Sequence, residues 1–193
     1  MPSDNPTALM RAEAAIAVED WPAAERALRK ASKSKDATPE VFYNFAKVLV
    51  LLGKNRQAAS AFGRAAAMRP AYSAAWFELG RLHIEERAFA QARDAFARVT
   101  SLTPDDTDAL EYLAVLSERL GDFETSTHAW QAILNRDPNH ASAQLGLLRA
   151  ALERRQDAVD SMAEALLSKK ATRAAAIALL SRTSRGWLRL AQA

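Results

Sequence analysis

The sequence contains no cysteine. Disulfides, thiolate metal sites and cysteine nucleophiles are therefore excluded, and the chain suits a reducing compartment. Glycine and proline are scarce, at 6 and 7 of 193 residues, which argues against a loop-rich or all-β fold. No stretch approaches the roughly 18 uncharged apolar residues of a membrane span. The nearest, VFYNFAKVLVLL at 41–52, is too short and is broken by Lys47. The opening residues carry charges throughout and lack the apolar core of a secretory signal, so a cytoplasmic location is expected. A formal net charge of +3 gives no field that selects a partner. Against these absences stand 49% hydrophobic and 25% charged residues, the proportions of a folded, soluble chain. Much of the hydrophobic share is alanine, the strongest helix former, so composition leans all-α.

What the chain has in abundance is a repeat. Pro70, Pro104 and Pro138 stand 34 residues apart. Ala24, Ala58 and Ala92 keep the same step, as do Leu28, Phe62, Phe96 and Trp130. Phe89 and Phe123 are one period apart, Trp21 lies two upstream of Phe89, and Gly53 and Gly121 are separated by two. Agreement of independent series on one period marks a repeat architecture. Within a period the apolar spacing is helical. Phe42, Phe45, Val48, Leu49 and Leu52 fall at i, i+3/i+4 positions before Gly53, and Ala58, Phe62, Ala65 and Met68 form the face of a second helix before Pro70. Each period thus predicts helix, short turn, helix, and a turn marked by proline. Two short helices bury too little apolar surface alone and must stack on the next pair.

These residues resemble the tetratricopeptide repeat. The fullest copy runs through Trp76, Leu79, Gly80, His83, Phe89, Ala92, Phe96, Val99 and Pro104. The repeat at 39–72 matches through Phe42, Phe45, Ala46, Gly53, Ala58, Phe62, Ala65 and Pro70. That at 107–140 matches through Leu110, Leu113, Ala114, Gly121, Phe123, Ser126, Trp130, Ile133 and Pro138. A weaker copy occupies 5–38, with Asp36 where proline is expected. The expected organisation is one solenoid domain: repeats at 5–38, 39–72, 73–106 and 107–140, a degenerate fifth at 141–170, and C-terminal cap helices over 171–193. The resemblance implies an all-α, right-handed α-solenoid of antiparallel helix pairs.

Catalysis requires convergent groups. His83, His128 and His140 occupy different repeat positions with no carboxylates at ligand spacing, and neither an HExxH motif nor a glycine-rich phosphate loop is present. No enzymatic activity, cofactor or metal is expected. Glu85 and Glu86 beside His83 read as solvated helix residues. By resemblance, binding falls to a concave groove lined by the first helix of each repeat. Its positions hold Tyr43, Phe77 and Glu111 in one row and Lys47, Arg81, Val115 and Arg149 in another. The expected peptide-binding residues are Tyr43, Lys47, Phe77, Arg81, Glu111 and Arg149. Aromatics would hold apolar anchors, and arginine can pair a carboxylate bidentately. The expected partner is a protein or peptide segment with apolar anchors and acidic groups. A carboxylate clamp of the chaperone-binding kind is not expected, since only Asn44 fits its pattern.

From Ala165 onward there are six basic residues and no acidic one, interspersed with Ile177, Leu179, Leu180, Trp187, Leu188 and Leu190. The mixture reads as a basic capping helix and not as a nucleic-acid patch. Trp187, Leu188 and Leu190 are the candidate self-association surface, through which the C-terminal helices would form a homodimer. The chain closes on GWLRLAQA without a helix-stop signal, so an alternative reading makes it the N-terminal module of a larger bacterial glycosyltransferase, sulfotransferase or methyltransferase, presenting substrate or mediating oligomerisation. Arginine outnumbers lysine 19 to 7, which with the alanine content points to a bacterial source.

Overall fold

A computed structural model describes residues 5–154 and 159–181. They form helices only: α1 (Asn5–Ala17), α2 (Trp21–Ala31), α3 (Pro39–Leu51), α4 (Asn55–Met68), α5 (Ser73–Glu85), α6 (Phe89–Leu102), α7 (Thr107–Arg119), α8 (Phe123–Leu134), α9 (Ala141–Glu153), α10 (Val159–Ser168) and α11 (Lys170–Ser181). Within residues 1–105 the helices pack as the antiparallel pairs α1/α2, α3/α4 and α5/α6, each stacked on the next, and within residues 106–193 α7/α8 packs on α9, which packs on α10; this is the packing of an α-solenoid. The backbone divides into two compact units, Met1–Asp105 and Asp106–Ala193.

The turns explain why each pair closes at the same length. After the first helix of four successive repeats, one residue enters the left-handed region: Glu19 at φ +57°, Gly53 at +68°, Arg87 at +58° and Gly121 at +79°. The hydrogen bonds around them are the same each time. The amide of Gly53 donates to Val50 at 2.9 Å and that of Lys54 to Leu49 at 2.8 Å, while the amides of Arg87 and Ala88 donate to Ile84 at 3.0 Å and His83 at 2.8 Å. This paired closure is the Schellman motif, which satisfies the last carbonyls of a helix and reverses the chain. In the first and fourth repeats an aspartate then caps the second helix. Asp20 accepts from the Ala23 amide at 2.9 Å and Asp122 from the Thr125 amide at 3.1 Å. Asp106 caps α7 in the same way through the Ala109 amide.

In the first unit, Phe62 of α4 and Phe96 of α6 are fully buried, as are Leu28 and Leu49 to within a per cent. Burying one such side chain contributes roughly 1.5–3 kcal/mol. The alanines at the repeat step (Ala24, Ala58, Ala92) are also wholly buried, where a larger side chain would push the helices apart. Gly80 sits against the Phe96 ring, whose nearest atom lies 2.8 Å from where a β-carbon would be. In the second unit the larger Trp130 of α8 reaches the following pair. Its indole would lie 2.3 Å from a β-carbon at Gly146 of α9. Helix α11 lies against both α9 and α10, and Ala176 and Leu180 join a core with Leu148, Ala151, Val159, Ala163 and Leu166. The buried Thr172 hydroxyl donates to the Leu166 carbonyl at 2.7 Å, tying α11 to the end of α10.

Candidate functional site

Four expected groove residues belong to the first unit, Tyr43 and Lys47 on α3 and Phe77 and Arg81 on α5. Tyr43 and Phe77 are half-buried. The Tyr43 ring meets Phe62 edge-on at 5.3 Å and lies 5.1 Å from Tyr72, while Phe77 meets Phe96 edge-on at 5.3 Å. Each aromatic thus rests its base on the buried phenylalanine of the second helix, which fixes its orientation with part of the ring still exposed. Burial and the neighbouring Tyr43 raise the Tyr72 phenol above its ordinary pKa, so it stays neutral across the physiological range. Arg69 stacks on Tyr72 at 5.3 Å and pairs with Glu40 at 2.5 Å. Hydrogen bonds from its own amide and from Thr38, and then the Arg69 pairing, hold the Glu40 carboxyl below its ordinary value.

Lys47 and Arg81 are both exposed, and both reach Glu78. Lys47 Nζ lies 2.8 Å from one carboxylate oxygen, whereas Arg81 Nη1 lies 3.4 Å from the other. The first is an ordinary charge-assisted hydrogen bond; the second is longer than the 2.7–2.9 Å usual for such a pair. Glu78 itself is only 18% exposed. Lys47 is therefore engaged in positioning a carboxylate. Arg81, with a side chain 52% exposed and five donors, keeps most of its hydrogen-bonding capacity for something else. On α3, Val50 and Leu51 are also exposed.

The remaining two residues lie in the second unit and make separate contacts. Glu111 of α7 lies 3.7 Å from Nε2 of His140. Arg149 of α9 donates to Glu118 of α7 at 2.7 Å. Glu118 is 7% exposed and also accepts from the Ser126 hydroxyl at 3.1 Å and the Trp130 indole at 2.9 Å. One carboxylate thus ties three helices. Trp187, Leu188 and Leu190, the expected self-association surface, lie outside the described residues.

Sequence reasoning missed Glu78 and Glu118 as the organisers of the expected cations. A signal was there: Lys47 and Glu78, like Glu118 and Arg149, are opposite charges 31 residues apart, one repeat less one helical turn. Among the histidines, His128 is exposed. His83 is half-buried, with Nδ1 3.9 Å from Glu86 and without a hydrogen-bond partner among the described residues. Among the described residues no group of three or more histidines, aspartates and glutamates could hold a metal ion. Nor is any helix there long and apolar enough to cross a membrane.

A model of the tetratricopeptide-repeat family matches residues 43–107 and 82–126. No curated protein matches the sequence. Solved structures do match in fold. The MamA protein superposes with a TM-score of 0.69 at 17% identity, over 89% of this chain and 94% of that one. A tetratricopeptide repeat protein from Parabacteroides merdae superposes with a TM-score of 0.70 at 16% identity, over 93% and 74%. YrrB, described as a TPR protein with an unusual peptide-binding site, gives 0.57 at 23% identity, over 68% of each chain.

Proposed function

We propose that the chain is a tetratricopeptide-repeat protein, a non-catalytic scaffold that holds a peptide segment of a partner protein against α3 and α5. The observation that carries the reading is the state of Arg81. It is an exposed guanidinium held only loosely by Glu78, one turn along α5 from the half-buried Phe77, while α3 carries the half-buried Tyr43 and the exposed Val50 and Leu51. Arginine beside aromatic and aliphatic surface is the composition of a recognition surface. The ligand it fits is a segment with apolar anchors and at least one carboxylate. That carboxylate would engage the free donors of Arg81, while Lys47 holds Glu78 in place and keeps the opposing charge from swinging into the site. The peptide-binding site of YrrB supports a peptide ligand for a fold of this kind. A cytoplasmic location goes with this reading.

The test is Arg81→Glu. Partners are captured with the full chain and identified by mass spectrometry, and affinity is then measured by calorimetric titration. Losing a charge-assisted pair and gaining a repulsive one lowers affinity by about tenfold or more. Far-UV circular dichroism should be unchanged, because the side chain is outside the core. Equal affinity of the two proteins would sink the assignment.

A further inference from the structure

A second surface of the first unit has no part in the site above. A cleft of about 460 Å³ runs between α1 and α2, lined by Thr7, Ala8 and Arg11 of α1 and by Ala23, Arg26, Ala27 and Lys30 of α2. No residue of α3 or α5 contributes to it. Its floor is alanine and its two walls carry cations. The wider neighbourhood has the same sign: between Glu25 and Asp36 the chain carries Arg26, Arg29, Lys30, Lys33 and Lys35 and no acidic residue. Arg29 is committed to an ion pair with Glu25. Arg11 and Arg26 are exposed and have no carboxylate partner among the described residues.

We infer that this cleft is a docking site for an acidic amphipathic helix of a partner protein. The groove between two packed helices is the natural seat for a third. Small side chains on the floor let the incoming backbone approach closely, as the buried alanines do between this protein's own helices. Arg26, on the α2 wall, faces an acidic residue on one flank of a helix lying alongside. Arg11 faces an acidic residue on the other flank. A phosphate backbone or an anionic bilayer would use the cations but gain nothing from a recessed alanine floor. The charge complementarity and the apolar floor together favour a protein helix.

The experiment uses the full chain and a fluorescently labelled synthetic peptide of about 16 residues, long enough to form an isolated helix. The peptide carries leucine and alanine on one face and glutamate on both flanks. Fluorescence anisotropy is expected to show binding that weakens with salt. Arg11→Glu with Arg26→Glu should weaken it by about tenfold or more. Arg11→Lys with Arg26→Lys should keep it, and Arg81→Glu should leave it within about twofold, so failure here is distinct from failure of the α3–α5 site. All these positions are exposed, and circular dichroism checks that each variant is folded. Four results would overturn the inference: no binding of the peptide; equal binding of a scrambled peptide with the same charges but no apolar face; binding of anionic phospholipid vesicles or polyphosphate in place of the peptide; or a dimer of this chain, seen by light scattering, that the double charge reversal dissolves.

Discussion

Arg87 holds its backbone at φ +58°, and one period on in either direction the same turn is made by glycine, Gly53 at +68° and Gly121 at +79°. A β-carbon in this region crowds the following carbonyl and costs roughly 1–2 kcal/mol. The turn forms regardless, because two helix-terminal carbonyls are satisfied by it and the next helix must reverse onto the last. Arg87 is exposed, so removing its side chain forfeits no packing. Glycine would relieve the strain but adds freedom to the unfolded chain, leaving a net gain of about 0.5–1 kcal/mol. Arg87→Gly should therefore raise the urea midpoint of unfolding. An unchanged or lower midpoint would mean that the left-handed turn is not strained here. Neither Glu19 nor Arg87 announces this conformation, since a charged residue carries no turn signal; only their places one period from Gly53 do. The repeat period was legible, and the two residues that break its glycine pattern were the part that needed the backbone.

Between helices the recurring device is a carboxylate near the seam of two pairs, answered by a cation from the neighbouring repeat. Glu25 of α2 is the example in the first repeat. It is buried, and Lys54, which precedes α4, lies 2.7 Å from it. Hydrogen bonding from Lys54 is the main cause that holds the Glu25 carboxyl below its ordinary 4.5; burial opposes this, and the charges of Lys54 and Arg29 reinforce it. The sign of the linkage follows. A carboxylate with a depressed folded pKa contributes stability above its unfolded pKa, and that contribution is lost as pH falls through the folded value. Lys54→Met should therefore destabilise by about 0.5–1 kcal/mol at pH 7, a modest figure because the lysine is 40% exposed. The deficit relative to the parent should shrink as pH falls from 7 to 3, as measured by urea unfolding at the two pH values. A deficit of the same size at both would assign it to lost packing of the lysine stem. Such pairs explain why the expected site was only half legible. The repeat register together with the resemblance to the tetratricopeptide family assigned groove positions, so Tyr43, Lys47, Phe77 and Arg81 could be named. The carboxylate partner of Lys47 lies 31 residues away, where periodicity within one helix has nothing to say, and Lys47 consequently read as a free cation when it holds Glu78.

For a repeat protein the stability of the whole is close to a sum of local terms, each pair contributing its own core and its contact with the next. Those terms are unequal here. Helices α4 and α6 each bury a phenylalanine completely, surrounded by Ala58, Ala61 and Ala65 in one and by Ala92, Ala95 and Val99 in the other. Helices α10 and α11 bury Val159, Ala163 and Leu166, and Thr172, Ala176 and Leu180, with no aromatic side chain among them. Less apolar area leaves water on burial, so less free energy opposes local opening. The same difference governed what could be read from the sequence: the repeats with a large aromatic at the second-helix position stood out at once, and the later ones, built on small and branched side chains, did not. Native-state hydrogen exchange reads the inequality directly. Amides in α10 and α11 should exchange at least about tenfold faster than those in the middle of α4 and α6 under conditions where opening is at equilibrium. Each pair would then show its own protection, with the slowest amides beside Phe62 and Phe96. Uniform protection from α1 to α11 would contradict the argument, because it would mean that the described helices open in a single cooperative event and that the missing aromatics are offset by contacts spread along the whole array.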